Sequence, residues 1–187
     1  MKAPVAWIFG WLILASGCQP QVSSPKSIQV YFSPRGGATE AVVNALEHAT
    51  NTVVVQAYSF TSAPIAKALV EAHRRGVRVR VILDKSQRTE KYSEADFLKN
   101  SEIPTLIDAQ HAIAHNKIMI IDGYMVLTGS FNFTKAAEEN NAENLLVVND
   151  SALAKKYIAN WHVHEQHSEA YSRESRIEEH PARVKRD

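Results

Sequence analysis

The sequence predicts an α/β sandwich, in which a mixed β-sheet is flanked by helices on both faces. Two observations predict this fold. Segments with the apolar spacing of strands alternate with segments that have the spacing of helices, and the strand segments are rich in valine and isoleucine. The chain has 187 residues, of which 45% are hydrophobic and 22% are charged, and this composition is typical of one globular domain.

The first half of the domain contains three predicted strands and two predicted helices. The strands cover residues 27–32, 52–58 and 77–83, and the helices cover residues 39–49 and 62–75. A proline fits the first turn of the second helix, and a glycine follows its last turn as a cap. Strand 52–58, helix 62–75 and strand 77–83 follow one another with short connections, and this order predicts a right-handed parallel crossover.

The second half of the domain contains a predicted hairpin. Asp122 and Gly123 are a strong turn signal between two apolar runs, at residues 114–121 and 125–128. Two helices and two strands complete the prediction. They are helix 93–100, strand 104–107, strand 145–149 and helix 151–167.

Both ends of the chain are predicted to lie outside the folded domain. Lys2 precedes an apolar run at residues 3–15, and this is the pattern of a secretory signal peptide covering residues 1–18. A membrane span needs about 20 apolar residues, so the run is too short to span comfortably. Residues 19–26 form a predicted linker, and residues 168–187 form a charged and flexible predicted tail. We therefore expect an exported protein.

Cys18 is the only cysteine of the chain, so an internal disulfide is excluded. Residues 14–18 read Leu-Ala-Ser-Gly-Cys and resemble a bacterial lipobox, in which the cysteine becomes lipidated. Lipidation of Cys18 would attach the protein to the outer membrane. The alternative is ordinary signal cleavage nearby, which leaves a periplasmic protein and no role for the cysteine.

The charge of the whole chain does not attract polyanions strongly, because its net value is only +1. Nucleic-acid binding would therefore need a local basic patch. The basic residues concentrate between residues 74 and 88, where Arg78, Arg80 and Lys85 are candidate contacts for phosphates. The alternative is a solvated face at a helix end and a strand edge.

Four polar residues near the hairpin form a candidate catalytic set. His115 and Lys117 are two residues apart, and so are Ser130 and Asn132, so each pair would share one side of an extended strand. This requires that the second strand extends past Gly129. The antiparallel hairpin would bring the two pairs together.

An imidazole, an ammonium, a hydroxyl and an amide suit a phosphate diester. The ammonium, hydroxyl and amide can bind the nonbridging oxygens, while the imidazole attacks phosphorus or transfers a proton. The segment lacks the cluster of carboxylates that holds magnesium, so this chemistry requires no metal or other cofactor. His162, His164 and His167 are a further group of histidines, but only the last two share a helix face, and two histidines are too few to predict a metal site.

The spacing H-x-K-x4-D-x6-G-S-x-N, which runs from His115 to Asn132, resembles the signature motif of the phospholipase D superfamily. With Glu143 downstream, the segment is similar to the small single-motif bacterial endonucleases of that superfamily. The resemblance implies a phospholipase D-like sandwich with its catalytic domain at residues 27–167. Asp122 and Gly129 would be structural residues of the motif.

The resemblance also implies a role for each member of the catalytic set. His115 would form a covalent phosphohistidine, and Glu143 would hydrogen-bond this histidine and orient it. Lys117, Ser130 and Asn132 would bind the phosphate.

The superfamily mechanism uses two histidines, one as the nucleophile and one as the general acid, whereas this chain has one motif. A homodimer with one composite site would supply both histidines. The favoured substrate is DNA, with RNA as a further candidate, cut by a nonspecific endonuclease. A phospholipase or cardiolipin-type lipid phosphodiesterase and a noncatalytic nucleic-acid-binding protein are the alternatives.

Overall fold

The computed structural model describes residues 27–172, and their eight strands form a single sheet. In chain order the strands are β1 (Ser27–Ser33), β2 (Thr52–Ala57), β3 (Arg78–Asp84), β4 (Thr105–Asp108), β5 (Lys117–Ile121), β6 (Met125–Gly129), β7 (Glu143–Asn149) and β8 (Glu169–Ala170). The helices are α1 (Ala38–Glu47), α2 (Ala63–Arg74), α3 (Ala95–Asn100), α4 (Lys135–Glu139) and α5 (Ser151–His167), with a 3-10 turn at Lys85–Arg88.

The sheet is mixed, and its strand order is β1-β7-β6-β5-β2-β3-β4-β8. The strands β2, β3 and β4 run parallel to one another, and every other neighbouring pair is antiparallel. The parallel pairing of β2 with β3 across α2 agrees with the predicted crossover, and the antiparallel pairing of β5 with β6 agrees with the predicted hairpin.

Helices cover both faces of the sheet, which confirms the predicted sandwich. On one face, α1 and α2 bury Leu46 and Leu69 against strand residues such as Val55. On the other face, α5 buries Trp161 completely, and its indole nitrogen donates a hydrogen bond to the backbone oxygen of Val55 at 2.9 Å. Asp150 caps the start of α5 by accepting hydrogen bonds from two backbone amides of its first turn. No helix within residues 27–172 has the length and apolar character needed to cross a membrane.

The end of the domain differs from the sequence prediction, because residues 168–172 belong to the fold. The short strand β8 pairs with β4, and Tyr171 is only 3% exposed. The Tyr171 hydroxyl donates a hydrogen bond to Asp96 at 2.8 Å. A two-residue strand lacks a periodicity that sequence could show, and its pairing depends on a distant partner. The predicted signal peptide, Cys18, the linker and residues 173–187 of the tail lie outside the described residues.

Asp122 ties the β5–β6 turn to the start of β2. Its carboxylate accepts hydrogen bonds from the backbone amides of Thr50, Asn51 and Thr52 at 2.7–2.9 Å. Burial raises the pKa of the Asp122 carboxyl, but these hydrogen bonds outweigh burial and hold the pKa below its ordinary value. The stability that results is present above the ordinary carboxyl pKa and is lost as the pH falls through the lowered one.

Candidate active site

The two strands of the hairpin are shorter than predicted at the end that carries the candidate catalytic set. β5 begins at Lys117, so His115 precedes the strand, and β6 ends at Gly129, so Ser130 and Asn132 follow it. The strict alternation predicted for the two pairs therefore does not hold. The pairs still meet, because β5 and β6 are antiparallel neighbours.

The candidate residues converge on one shallow depression at the strand ends, with a volume of about 350 Å³. Its lining contains a base, a cation, a hydroxyl, an amide and a carboxylate, which is the complement of groups that phosphoryl chemistry uses. The lining residues are His115, Lys117, Gly129, Ser130, Asn132 and Glu143.

Lys117 places a buried positive charge at the base of the depression. It is 6% exposed, and its ammonium donates a hydrogen bond to the backbone oxygen of His115 at 3.0 Å. The ammonium also lies over the ring of Tyr58, 5.0 Å from the ring centre. Burial lowers the pKa of the Lys117 ammonium, and the negative charge of Glu143 opposes this shift. The charge is thus held where a phosphate oxygen can reach it.

His115 is exposed to solvent and packs on one aromatic ring. The centres of the His115 and Tyr58 rings are 4.6 Å apart, at an angle of 54°. The backbone amide of Tyr58 donates a hydrogen bond to the oxygen of Asn116 at 2.8 Å, which fixes the ring beside the loop. Tyr58 was not predicted as a site residue, because it lies almost sixty residues before the motif.

Gly129 is required by the close approach of β6 to β7. Its φ of 151° disfavours a side chain, and a methyl group there would overlap the backbone oxygen of Asn144. The same oxygen accepts hydrogen bonds from the amides of Ser130 and Phe131 at 3.1 Å. The Ser130 hydroxyl oxygen in turn accepts hydrogen bonds from the backbone and side chain of Asn144, at 3.1 and 3.3 Å. This network fixes Ser130 at the rim of the depression.

Asn132 and Glu143 complete the lining. The side-chain oxygen of Asn132 is buried and accepts no hydrogen bond within residues 27–172, so a donor on a ligand could reach it. The Glu143 carboxylate accepts a hydrogen bond from Asn141 at 3.1 Å. The orienting bond from Glu143 to His115 stays a prediction.

The structure separates two of the three predicted basic contacts from this depression. Arg78 pairs in register with Thr52, while Lys117 pairs with Ala57 at the other end of β2, about 17 Å away. Arg78 hydrogen-bonds Asn51.

Arg80 forms an ion pair with Glu165 and lies over the ring of Trp161. These contacts favour the solvated-face alternative for Arg78 and Arg80. Lys85 follows β3 at the sheet edge that carries the site, because Leu83 pairs with Ala57.

Comparisons with known proteins agree with this geometry. Residues 42–163 match the family model described as "Cardiolipin synthase, PLD-like domain". The chain is 41% identical over 138 residues to a phospholipase D of Rickettsia conorii, covering 74% of this chain and 69% of that protein. It is 31% identical over 156 residues to a mitochondrial cardiolipin hydrolase of Xenopus laevis, covering 83% and 74%.

A solved structure shows the same fold. The phospholipase D family member Nuc from Salmonella typhimurium superposes with a TM-score of 0.76 and 40% identity, over 79% of this chain and 99% of that chain. The family match includes the whole hairpin and the depression between its strand ends. The chain therefore belongs to the phospholipase D superfamily and is a phosphodiesterase of that superfamily.

Proposed function

We propose that the chain is a metal-independent endonuclease that hydrolyses DNA, with RNA as a second substrate, through a covalent phosphohistidine at His115. The proposal rests on the depression, which is shallow, is lined by polar residues and one glycine, and includes an exposed imidazole. A polymer backbone can lie across such a surface.

The proposed reaction has two steps. The His115 ring nitrogen attacks phosphorus and forms a P–N bond, and the P–O bond to the leaving oxygen breaks as a second histidine protonates that oxygen. Water then attacks phosphorus, gives its proton to the second histidine and releases His115. Lys117, Ser130 and Asn132 hold the nonbridging oxygens, and Glu143 orients His115.

The lining of the depression favours a nucleic acid over a lipid. A site for acyl chains needs apolar walls, whereas the residues that line this depression are polar or glycine. The lipid alternative has support of its own, because relatives are named phospholipase D and cardiolipin hydrolase. The two substrates are therefore best compared in one experiment.

The test is a parallel assay of the purified chain in excess EDTA on plasmid DNA, on RNA and on cardiolipin vesicles. We expect plasmid cutting to persist in EDTA, and vesicle hydrolysis to be at least ~100-fold slower per enzyme. Hydrolysis of lipid alone would support the lipid phosphodiesterase, and tight DNA binding without turnover would support the noncatalytic alternative. Either result would contradict the proposal.

A second copy of the chain is the proposed source of the second histidine. The edge strand β1 exposes three large apolar side chains on one face, namely Ile28 (67%), Val30 (49%) and Phe32 (64%). Phe32 pairs with Asn144, whose side chain bonds Ser130 at the rim of the depression. An exposed apolar stripe on an edge strand is typical of an interface. A twofold contact through this stripe would set two copies of the site close together.

Val30→Glu tests this interface. We expect the variant to sediment as a monomer and to cut DNA at least ~100-fold more slowly, because a charge would be buried in the contact. Val163→Glu is the matched control, since Val163 is 57% exposed on α5. A Val30→Glu monomer with full activity would contradict the shared site.

We also propose that the protein is exported to the periplasm or the outer membrane, on the basis of residues 1–18. Cys18 is the candidate lipidation site in this proposal.

A further inference from the structure

Three histidines and one aspartate from distant parts of the chain meet away from the depression. Asp108 ends β4, His111 lies in the loop that leads to His115, and His164 and His167 lie in the last turn of α5. The ligand atoms of the four side chains all lie within 4.8 Å of one another. Sequence spacing showed only His164 and His167 together, so the group depends on the tertiary fold.

The three imidazoles converge on one oxygen of Asp108. The Oδ2 oxygen of Asp108 lies 2.9 Å from Nδ1 of His111, 2.8 Å from Nδ1 of His164 and 3.4 Å from Nε2 of His167. In a tetrahedral zinc site with bonds near 2.0–2.1 Å, ligand atoms are about 3.3–3.4 Å apart. The three contacts to Oδ2 of Asp108 therefore lie within about 0.6 Å of the spacing that a tetrahedral ion requires.

Hydrogen bonding among these groups leaves one of them unsatisfied. His111 and His164 both bond the Asp108 carboxylate, which is fully buried. The Nε2 atom of His167 is buried and lies 3.4 Å from the same carboxylate, but it makes no hydrogen bond of good geometry within residues 27–172. Charging all three imidazoles would place three positive charges in one cluster, because the ring centres are 4.9–5.4 Å apart. A single divalent cation would instead bind three neutral imidazoles and the carboxylate.

We propose that Asp108, His111, His164 and His167 bind one Zn²⁺ ion as a structural site. Three imidazole nitrogens and one carboxylate oxygen are ligands that zinc takes readily, whereas Mg²⁺ and Ca²⁺ require mainly oxygen ligands. The four protein ligands fill the tetrahedron, so the ion takes no part in phosphoryl transfer. It ties α5 and β4 to the loop that carries His115, four residues after His111.

The test is zinc binding by the full chain after it has been stripped with EDTA and dialysed. Titration with zinc chloride, followed by calorimetry and elemental analysis, should give one tightly bound Zn²⁺ per chain. At a free zinc concentration of about 100 Kd, we expect the unfolding temperature to rise by about 5–10 °C. X-ray absorption should show three imidazole ligands and one carboxylate ligand.

Two ligand variants and one control decide which residues bind the ion. His167→Ala and His111→Ala should each weaken zinc binding by at least about 100-fold, since even the loss of a group behind a ligand costs 10–100-fold. The His111 side chain is 46% exposed, so its replacement leaves the fold intact. His162→Ala is the control, because His162 lies on the same helix and pairs with Glu165 instead. Failure to bind zinc, or equal weakening in the control, would overturn the proposal, and neither readout depends on DNA cutting.

Discussion

Replacing His115 with alanine is expected to lower the rate of DNA cutting by at least about 10⁴-fold, because the proposed nucleophile is lost. In a homodimer the change removes both the nucleophile and the general acid from the shared site. The fold should remain intact, since the His115 side chain is exposed and its ring contacts the ring of Tyr58 at the surface. The measurement is the initial rate of plasmid nicking in EDTA, with the unfolding temperature taken in parallel.

His48→Ala is the matched control for this change. His48 is also exposed, but it follows α1 close to Thr50, which bonds Asp122 at the opposite end of the sheet from the depression. We expect the control to cut DNA at the wild-type rate. A His115→Ala protein that retains more than a tenth of the wild-type rate would exclude this histidine as the nucleophile.

Replacing Lys117 with methionine is expected to slow DNA cutting without lowering the free energy of unfolding. The rate of DNA cutting should fall by about 10²–10³-fold, because the buried ammonium is the proposed partner of the developing charge on phosphate. The free energy of unfolding should be equal to or above that of the wild type at pH 7, because methionine removes a desolvated charge while conserving the shape of the side chain.

The stability difference between Lys117→Met and the wild type should depend on pH. Burial lowers the pKa of the folded-state Lys117 ammonium, although Glu143 opposes the shift, so the unfolded chain binds the proton more tightly. Wild-type stability therefore rises with pH above the lowered folded-state pKa of Lys117 and levels off near the ordinary lysine pKa of about 10. The advantage of Lys117→Met should shrink over the same range. Denaturant unfolding at several pH values measures this, with Lys156→Met on the exposed face of α5 as the control. A large loss of stability in Lys117→Met would mean that the lysine is structural.

Much of the fold could be predicted because its signals are local. The β-branched run of β2, the apolar spacing of α2 and the Asp-Gly turn each depend on residues close in sequence. The motif, together with Glu143 from the family resemblance, predicted the members of the depression, and the structure brings them together.

Several features of the site could not be predicted from sequence, because they depend on contacts between segments that are distant along the chain. Tyr58 reaches His115 and Lys117 because β2 pairs with β5, and Asn144 reaches Ser130 because β7 pairs with β6. The separation of Arg78 from Lys117 follows from strand direction, which a cluster of charges along the chain cannot reveal. His111 meets the histidines of α5 because α5 packs beside the end of β4, which the chain order alone does not show.

Trapping the covalent phosphohistidine is the sharpest test of the proposed mechanism. The enzyme would be mixed with an oligonucleotide, quenched at alkaline pH within milliseconds, digested and analysed by mass spectrometry. If His115 is the nucleophile, we expect a nucleotide joined through phosphorus to the peptide that contains His115, at a level that rises and decays with turnover. A turnover-competent adduct on another residue, or steady cutting with no adduct on His115 at any time, would contradict it.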